Sequence, residues 1–269
     1  MAKPKIVLTI AGMDPTCGAG IGADIRVIQS LGAHPIAVAT VITAQNTQNI
    51  STISPLDTQI LRAQFLSIEE DLVPDAIKIG MLYHRSIIEI VSEYLNKIRT
   101  KCPEIPIILD PLHTATVGAS LIKEEVHVRE VIIEKLLPFV SLLTPNIKEW
   151  MWLTKTNDSD PTEDVIFQEI RHLGLKSHQA LLLKTTDQHH DKIITHQLIQ
   201  HQKIYPCTSS RVDMGPVHGT GCALSTAITT YLTRGVSLKQ AVDLGQKYVL
   251  TSIKKSIAIG KGAKVLMLS

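Results

Sequence analysis

The chain has 269 residues and a net charge of +2, with 44% hydrophobic and 19% charged side chains. That is ample for a large core, which excludes disorder, while the balanced charge and 4% aromatics supply neither a basic footprint nor stacking platforms for nucleic acid. No apolar run approaches the ~20 residues that span a bilayer, and the four cysteines (Cys17, Cys102, Cys207, Cys222) form no CxxC pair, so reduced thiols in a cytoplasm are expected.

From the N-terminus, "KIVLTIAG" (5–12) reads as a buried strand, and "GMDPTCGAG" after it as a glycine-rich turn into a helix over 20–31. A strand over 37–43 ends in "TAQNT", and a helix over 58–72 follows. The next pairs are a strand over 76–81 with a helix over 86–98, and a strand over 105–112 with a helix over 124–136. A strand over 141–146 runs into "TPNIKEW", a helix covers 162–173, and a strand over 179–185 ends in "KTTDQ". Residues 192–206 alternate polar and apolar side chains and predict a hairpin at a sheet edge. Helices over 222–233 and 238–255 close the chain.

The strands are nearly continuous in Val, Ile, Leu and Ala, which marks strands covered on both faces. With helices between them they predict a doubly wound parallel sheet in one domain over 1–269, without repeats or linkers. In such sheets ligands bind beyond the carboxyl ends of the strands, where the polar and glycine-rich punctuation of this chain gathers.

The sharpest motif is "VHGTGCALSTAI" (217–228). A turn of Gly219, Thr220 and Gly221 into a helix exposes free backbone N–H groups in the field of the helix dipole, an anion hole suited to a phosphoryl group. The same field favours a thiolate at Cys222, although a glycine-rich turn beside a buried cysteine reads as plain structure equally well. Asp24, inside the helix after the first glycine-rich turn, reads as an exposed helical acid or as a site residue. Gln45 pairs a donor with an acceptor, which matches the edge of an aminopyrimidine, while Asn46 beside it fits turn chemistry. Asn146 and Glu149 read as a helix capping box, as oxygen groups suited to Mg²⁺ through water, or as both. His189, His190, His196 and His201 crowd one region without the spacing of a metal site.

Taken together, "LTIAGMDPTCGAGIGADI", "ITAQNT", "IKIGML", "LDP", "LTPNIKE" and "HGTGCALSTAI" resemble, in order and over nearly the whole chain, the hydroxymethylpyrimidine/phosphomethylpyrimidine kinases of the ribokinase-like fold. The resemblance implies a three-layer α/β/α sandwich around a mostly parallel sheet. It implies ATP-dependent phosphorylation of 4-amino-5-hydroxymethyl-2-methylpyrimidine and of its monophosphate, with Mg²⁺, in a cytoplasmic homodimer. By position, Cys222 is the base where most ribokinase-like enzymes have aspartate. Gly12, Asp24, Gln45, Met81 and Leu112 line the pyrimidine pocket, Lys184 and Asn146 serve the nucleotide, and Glu149 organises magnesium.

The sequence departs from the family on its nucleotide side. Thr185, Thr186 and Asp187 replace two glycines and a histidine, Thr116 stands where a lid lysine is usual, and Pro216 and Val217 replace Asn-Thr. Two other readings therefore stand beside the pyrimidine kinase. One is a pyridoxal kinase on the same scaffold; the other is a vitamin-binding protein that has lost turnover.

Overall fold

A computed structural model of the chain describes residues 3–113, 121–123, 125–184 and 192–268. Thr116, Thr185, Thr186, Asp187, His189 and His190 lie outside the described residues. The elements, in chain order, begin with β1 (Ile6–Met13), α1 (Gly20–Ser30), β2 (His34–Gln45), β3 (Ile50–Pro55) and α2 (Thr58–Asp71). They continue with β4 (Ala76–Ile79), α3 (Arg85–Lys101), β5 (Ile107–Leu109) and α4 (Glu125–Val131), then β6 (Leu142–Leu143), α5 (Ile147–Thr154), α6 (Glu163–His172) and β7 (Ala180–Leu183). The chain closes with β8 (Ile193–Gln200), β9 (Lys203–Ser210), β10 (Val217–His218), α7 (Thr220–Leu232), α8 (Leu238–Lys254) and β11 (Lys264–Val265).

Nine strands form one sheet in the order β3-β2-β1-β4-β5-β6-β7-β8-β9. The central pairs from β2 to β7 are parallel; β3, β8 and β9 join antiparallel at the two edges. The expected hairpin over 192–206 is β8–β9, at the predicted edge.

Side chains alternate between two cores, as the strand period of two requires. Leu8, Ile10, Ile77, Ile79, Ile107 and Leu109 pack with α2, α3 and α5 in one core. Ile108, Leu142, Ala180 and Leu182 pack with Ala23 and Val27 of α1, Ala227 and Ile228 of α7 and Val242 of α8 in the other. Helices therefore cover both faces, giving the expected α/β/α layers.

Two elements differ from the expectations. β3 was not anticipated, because its residues are mostly exposed and it borders β2 alone, so it lacks the apolar run that marks a central strand. The helix expected over 124–136 ends as α4 at Val131, widens into a π turn (Ile132–Leu136) and then tightens into a 3₁₀ turn (Leu137–Phe139). "TPNIKEW" (144–150) holds the start of a helix, α5, capped by Asn146 as the capping-box reading expects.

The chain leaves β1 toward β2 on one side, and the later parallel strands extend on the other. This places the topological switch point between β1 and β4, where open α/β sheets bind ligands. Among the described residues no helix is long and apolar enough to cross a membrane.

Candidate active site

Two glycine-rich turns meet above this switch point. The first leads from β1 into α1, and the second from β10 into α7. Gly219, the N-cap of α7, has φ 81°, a left-handed conformation that glycine adopts without strain. A side chain there would also strike the carbonyl oxygen of Gly18, so the two turns lie backbone against backbone. The C-terminal segment holds them from outside. Val217 and His218 pair with Lys264 and Val265, and a Cβ on Gly18 would stand 3.0 Å from Val265 Cγ1. Pro216 joins the same arrangement, its carbonyl oxygen accepting from the Lys264 amide at 3.0 Å.

The first turn of α7 therefore presents Thr220, Gly221 and Cys222 at a helix N-terminus without a side-chain cap. Gly221 keeps its backbone open to the Lys184 ammonium, which lies 3.4 Å from where a Cβ would stand. Cys222 is buried, and burial pushes its thiol up to about 12; Lys78 draws it down while Asp110 and Asp24 raise it again. This corrects the expectation of a thiolate favoured by the helix field, because removal from water outweighs the dipole at this depth.

Beneath this turn lies a buried polar network that threads both sheet and helices. Asp24 was expected in the pyrimidine pocket or as an exposed acid. Instead it is wholly buried between α1 and the sheet. Its carboxylate accepts from Thr9 Oγ1 (2.6 Å), Lys78 Nζ (2.9 Å) and Thr226 Oγ1 (2.6 Å), so it faces the core under the site. Asp110, just past β5, accepts from Lys184 Nζ (2.8 Å), Thr144 Oγ1 (3.2 Å) and Ser225 Oγ (3.2 Å). Burial alone would raise the Asp110 carboxyl, but Lys184 and Lys78 hold it below its ordinary value. Burial would likewise lower Lys184, but Asp110 and Glu149 raise it.

Asn146 and Glu149 form the reciprocal capping box of α5: the Glu149 amide donates to Asn146 Oδ1 (2.9 Å) and the Asn146 amide to Glu149 Oε2 (2.7 Å). Glu149 is buried, and burial pushes its carboxyl up to about 7; Lys184 pulls it down while Asp110 raises it. A backbone bridge joins Asn146 to Lys184, so the two expected nucleotide-side residues stand side by side.

On the other flank, Gly12 and Met81 adjoin: a Cβ on Gly12 would stand 3.2 Å from Met81 Sδ and 2.7 Å from Val41 Cγ2. Gln45, at the end of β2, has its amide nitrogen 3.0 Å from His218 Nε2 and its oxygen accepting from Thr43 Oγ1 (3.3 Å). His218 Nε2 lies 3.3 Å from Asp14 Oδ2, and burial and this imidazole act on Asp14 with the net result of a lowered carboxyl. Leu112 is half-buried and lines a small apolar cavity with Leu82, Tyr83, Pro111 and Ile122.

Sequence reasoning missed Lys78 and Asp110, which sit within or just after apolar strands and read there as parts of a buried run. It also missed Thr9, Thr226 and Ser225, whose hydroxyls serve the two carboxylates. The one available signal for Lys78 was a charge inside a strand covered on both faces, where an unpaired cation is costly.

The arrangement is a cradle for anions at a helix N-terminus, flanked by a buried lysine and a carboxylate on one side and by an amide–imidazole pair on the other. A model of the phosphomethylpyrimidine kinase family matches residues 14–267. The hydroxymethylpyrimidine/phosphomethylpyrimidine kinase of Staphylococcus aureus (strain Mu50) is 34% identical over 97% of this chain and 92% of its own. That of Bacillus subtilis (strain 168) is 32% identical over 95% and 91%. Among solved structures, a pyridoxal kinase of Bacillus subtilis in an ADP complex is similar with TM-score 0.85 at 27% identity, covering 99% of this chain and 98% of that one. A phosphomethylpyrimidine kinase of Clostridium difficile 630 is similar with TM-score 0.75 at 30% identity, covering 93% and 99%. Since the match runs through both glycine-rich turns and nearly the full length, the chain belongs to the phosphomethylpyrimidine kinase family.

Proposed function

We propose that this kinase transfers the γ-phosphoryl group of ATP to 4-amino-5-hydroxymethyl-2-methylpyrimidine and then to the monophosphate, as a single domain in a cytoplasmic homodimer. The observation that carries the reading is the uncapped N-terminus of α7, with Cys222 in its first turn and the Lys184 ammonium beside Gly221. Phosphoryl transfer asks a protein mainly for positioning and charge stabilisation, and this corner offers both.

The amides of Gly219, Thr220 and Gly221 receive the oxygens of the transferring group, and Lys184 adds charge from the nucleotide side. The pyrimidine lies toward Gly12, Met81 and Leu112, with Gln45 at its polar edge. Asp24 supports this pocket from below. Cys222 meets the attacking hydroxymethyl group and accepts its proton. The acceptor is the thiolate; because burial raises the thiol, its own proton must first leave to solvent, and the hydroxyl proton is then taken as the new P–O bond forms. The second transfer needs no such step, because a phosphate acceptor is already anionic.

Glu149 fits a magnesium role: a buried carboxyl raised toward 7 beside Asp110 is a place where added positive charge is favourable. Bound there through water, near Asn146, Mg²⁺ would neutralise charge on the nucleotide phosphates.

The test is a coupled ADP-release assay with hydroxymethylpyrimidine, its monophosphate and pyridoxal, each with ATP and Mg²⁺. Turnover of both pyrimidines with kcat/KM above that for pyridoxal is expected. Faster turnover of pyridoxal would favour the second reading, which rests on the similarity to pyridoxal kinases at TM-scores up to 0.85. Pyrimidine binding without ADP release would indicate a binding protein. Sedimentation of the free protein as a monomer would remove the homodimer.

A further inference from the structure

The Gln45 carboxamide meets an imidazole nitrogen that has two polar neighbours. His218 Nε2 stands 3.0 Å from the carboxamide and 3.3 Å from Asp14 Oδ2. Asp14 is buried, and donors surround its oxygens: the amides of Thr16 (2.9 Å) and Ala19 (3.0 Å) and the Thr16 hydroxyl (2.9 Å). Burial works against its charge, but the His218 imidazole and the Thr16 donors outweigh it, so Asp14 faces His218 as an anion. On the far side of the carboxamide, Thr43 Oγ1 lies 3.3 Å from it and 3.0 Å from the Met13 carbonyl oxygen. A carbonyl oxygen can only accept, so the single Thr43 hydroxyl proton goes to Met13. The C-terminal segment holds these groups at their spacing. Val265 pairs with His218, and the Gly262 and Ala263 amides donate to Thr47, two residues past Gln45.

A carboxamide fills the same space in two seatings, half a turn apart, that exchange its oxygen and nitrogen. With the nitrogen toward His218, Nε2 has to accept, and its lone pair is left beside the Asp14 anion; Thr43, its proton given to Met13, has none for the Gln45 oxygen. With the oxygen toward His218, every group is matched. Nε2–H then faces two acceptors, Asp14 and the Gln45 oxygen, and the Gln45 nitrogen donates to Thr43 Oγ1. We infer that His218 is a positioning residue, an Nε2–H donor anchored on Asp14 that holds Gln45 in this second seating and so sets the polarity of the pocket edge. This rests on the pyrimidine kinase reading above. The seating leaves one lone pair on the Gln45 oxygen and one N–H on its nitrogen for a ligand. An aminopyrimidine meets them with its amino group on the His218 side and its ring nitrogen on the Thr43 side. A ring edge without that adjacent donor and acceptor leaves one of the two groups unpaired, which selects against it.

The test begins with nitrogen NMR of the wild-type protein carrying isotope-labelled histidine, at about pH 8, above the ordinary imidazole value. The His218 signals are assigned by their loss in His218→Gln. Nε2 should carry the proton, and a proton-free Nε2 would overturn the inference. Calorimetry with hydroxymethylpyrimidine then compares His218→Leu, His218→Gln, Gln45→Leu and the double variant His218→Leu/Gln45→Leu. His218→Leu should bind about tenfold more weakly and show KM raised to match, with kcat and KM for ATP within about threefold of wild type. His218→Gln returns an N–H near the place of Nε2 and should bind within about threefold of wild type. The double variant should bind within about twofold of Gln45→Leu alone, because His218 acts through that carboxamide. Losses that multiply in the double variant, or wild-type affinity in His218→Leu, would overturn the inference. Should His218→Leu fail to fold, the ring proton and His218→Gln decide, a loss of about tenfold or more in His218→Gln counting against it. The ring proton is read without substrate, so if the wild type binds no pyrimidine the substrate reading fails alone and the seating of Gln45 is still decided.

Discussion

Two ion pairs of this molecule share their chemistry and differ in their surroundings. Lys78 and Asp24 are fully removed from solvent, with side-chain exposures of 0% and 0%. Arg62 and Glu93 join α2 to α3 on the outside, with exposures of 54% and 52%. Water screens the outer pair and holding two long side chains in one geometry costs entropy, so such pairs contribute little. The inner pair has no water to fall back on, and each partner depends on the other and on the hydroxyls of Thr9 and Thr226. The difference teaches where to look for function in this chain. The buried charges Asp24, Lys78, Asp110, Lys184 and Glu149 gather around the α7 N-terminus and the strand ends beneath it, whereas pairs such as Arg62–Glu93 on the surface are replaceable.

The strongest challenge to this contrast is Cys222→Ala. It removes the polar group nearest the proposed reaction and should lower kcat about 10²–10⁴-fold, some 3–5.5 kcal/mol, while melting temperature and substrate affinity hold. Full kcat would make the thiol structural. Next comes Asp24→Ala, which leaves Lys78 buried and unpaired; urea unfolding should show a loss of about 3–5 kcal/mol. A loss no larger than that of a surface variant would erase the distinction between the two pairs.

Glu149 sharpens the contrast through pH. Its carboxyl rises from the ordinary 4.5 to about 7 on folding, so between those values the folded chain keeps a proton that the unfolded chain releases. The stability it contributes is present below pH 4.5 and is lost as pH rises through 7. His196 runs the other way: burial lowers its imidazole from 6.5 to about 4, so its contribution grows as pH rises across that interval. The two oppose each other in the wild type. Glu149→Gln removes the falling branch, and its stability relative to wild type should improve by on the order of 2–3 kcal/mol between pH 5 and pH 7.5 in denaturant titrations. A constant difference across that range would show that Glu149 titrates normally.

Gln45→Leu lies at the partly exposed rim, and calorimetry should find hydroxymethylpyrimidine bound about 1–3 kcal/mol more weakly. Unchanged affinity would take Gln45 out of the pocket. The smallest effect is expected for Glu93→Gln, below about 1 kcal/mol in the same urea experiment, with kcat untouched. A larger loss there would mean that the outer pair does more than screening permits.

The layer order, the parallel centre of the sheet, the edge hairpin and the start of α5 at Asn146 were legible in the sequence. Each follows from local rules: a period of two or 3.6, an apolar run, a capping residue three positions before its partner. The two glycine-rich turns were legible for the same reason, since glycine marks backbone that other residues adopt with difficulty. The tertiary structure alone decided the fate of the charges. Asp24 is a helical acid in sequence, yet its partners Lys78 and Thr226 stand 54 and 202 positions away, and no local pattern records them. Asp110 and Lys184 meet across 74 positions, and the Cys222 thiol is set by burial against the helix field. The pattern of side chains tells which face a residue takes; which charge waits on that face, and how much water remains there, depends on how distant segments pack.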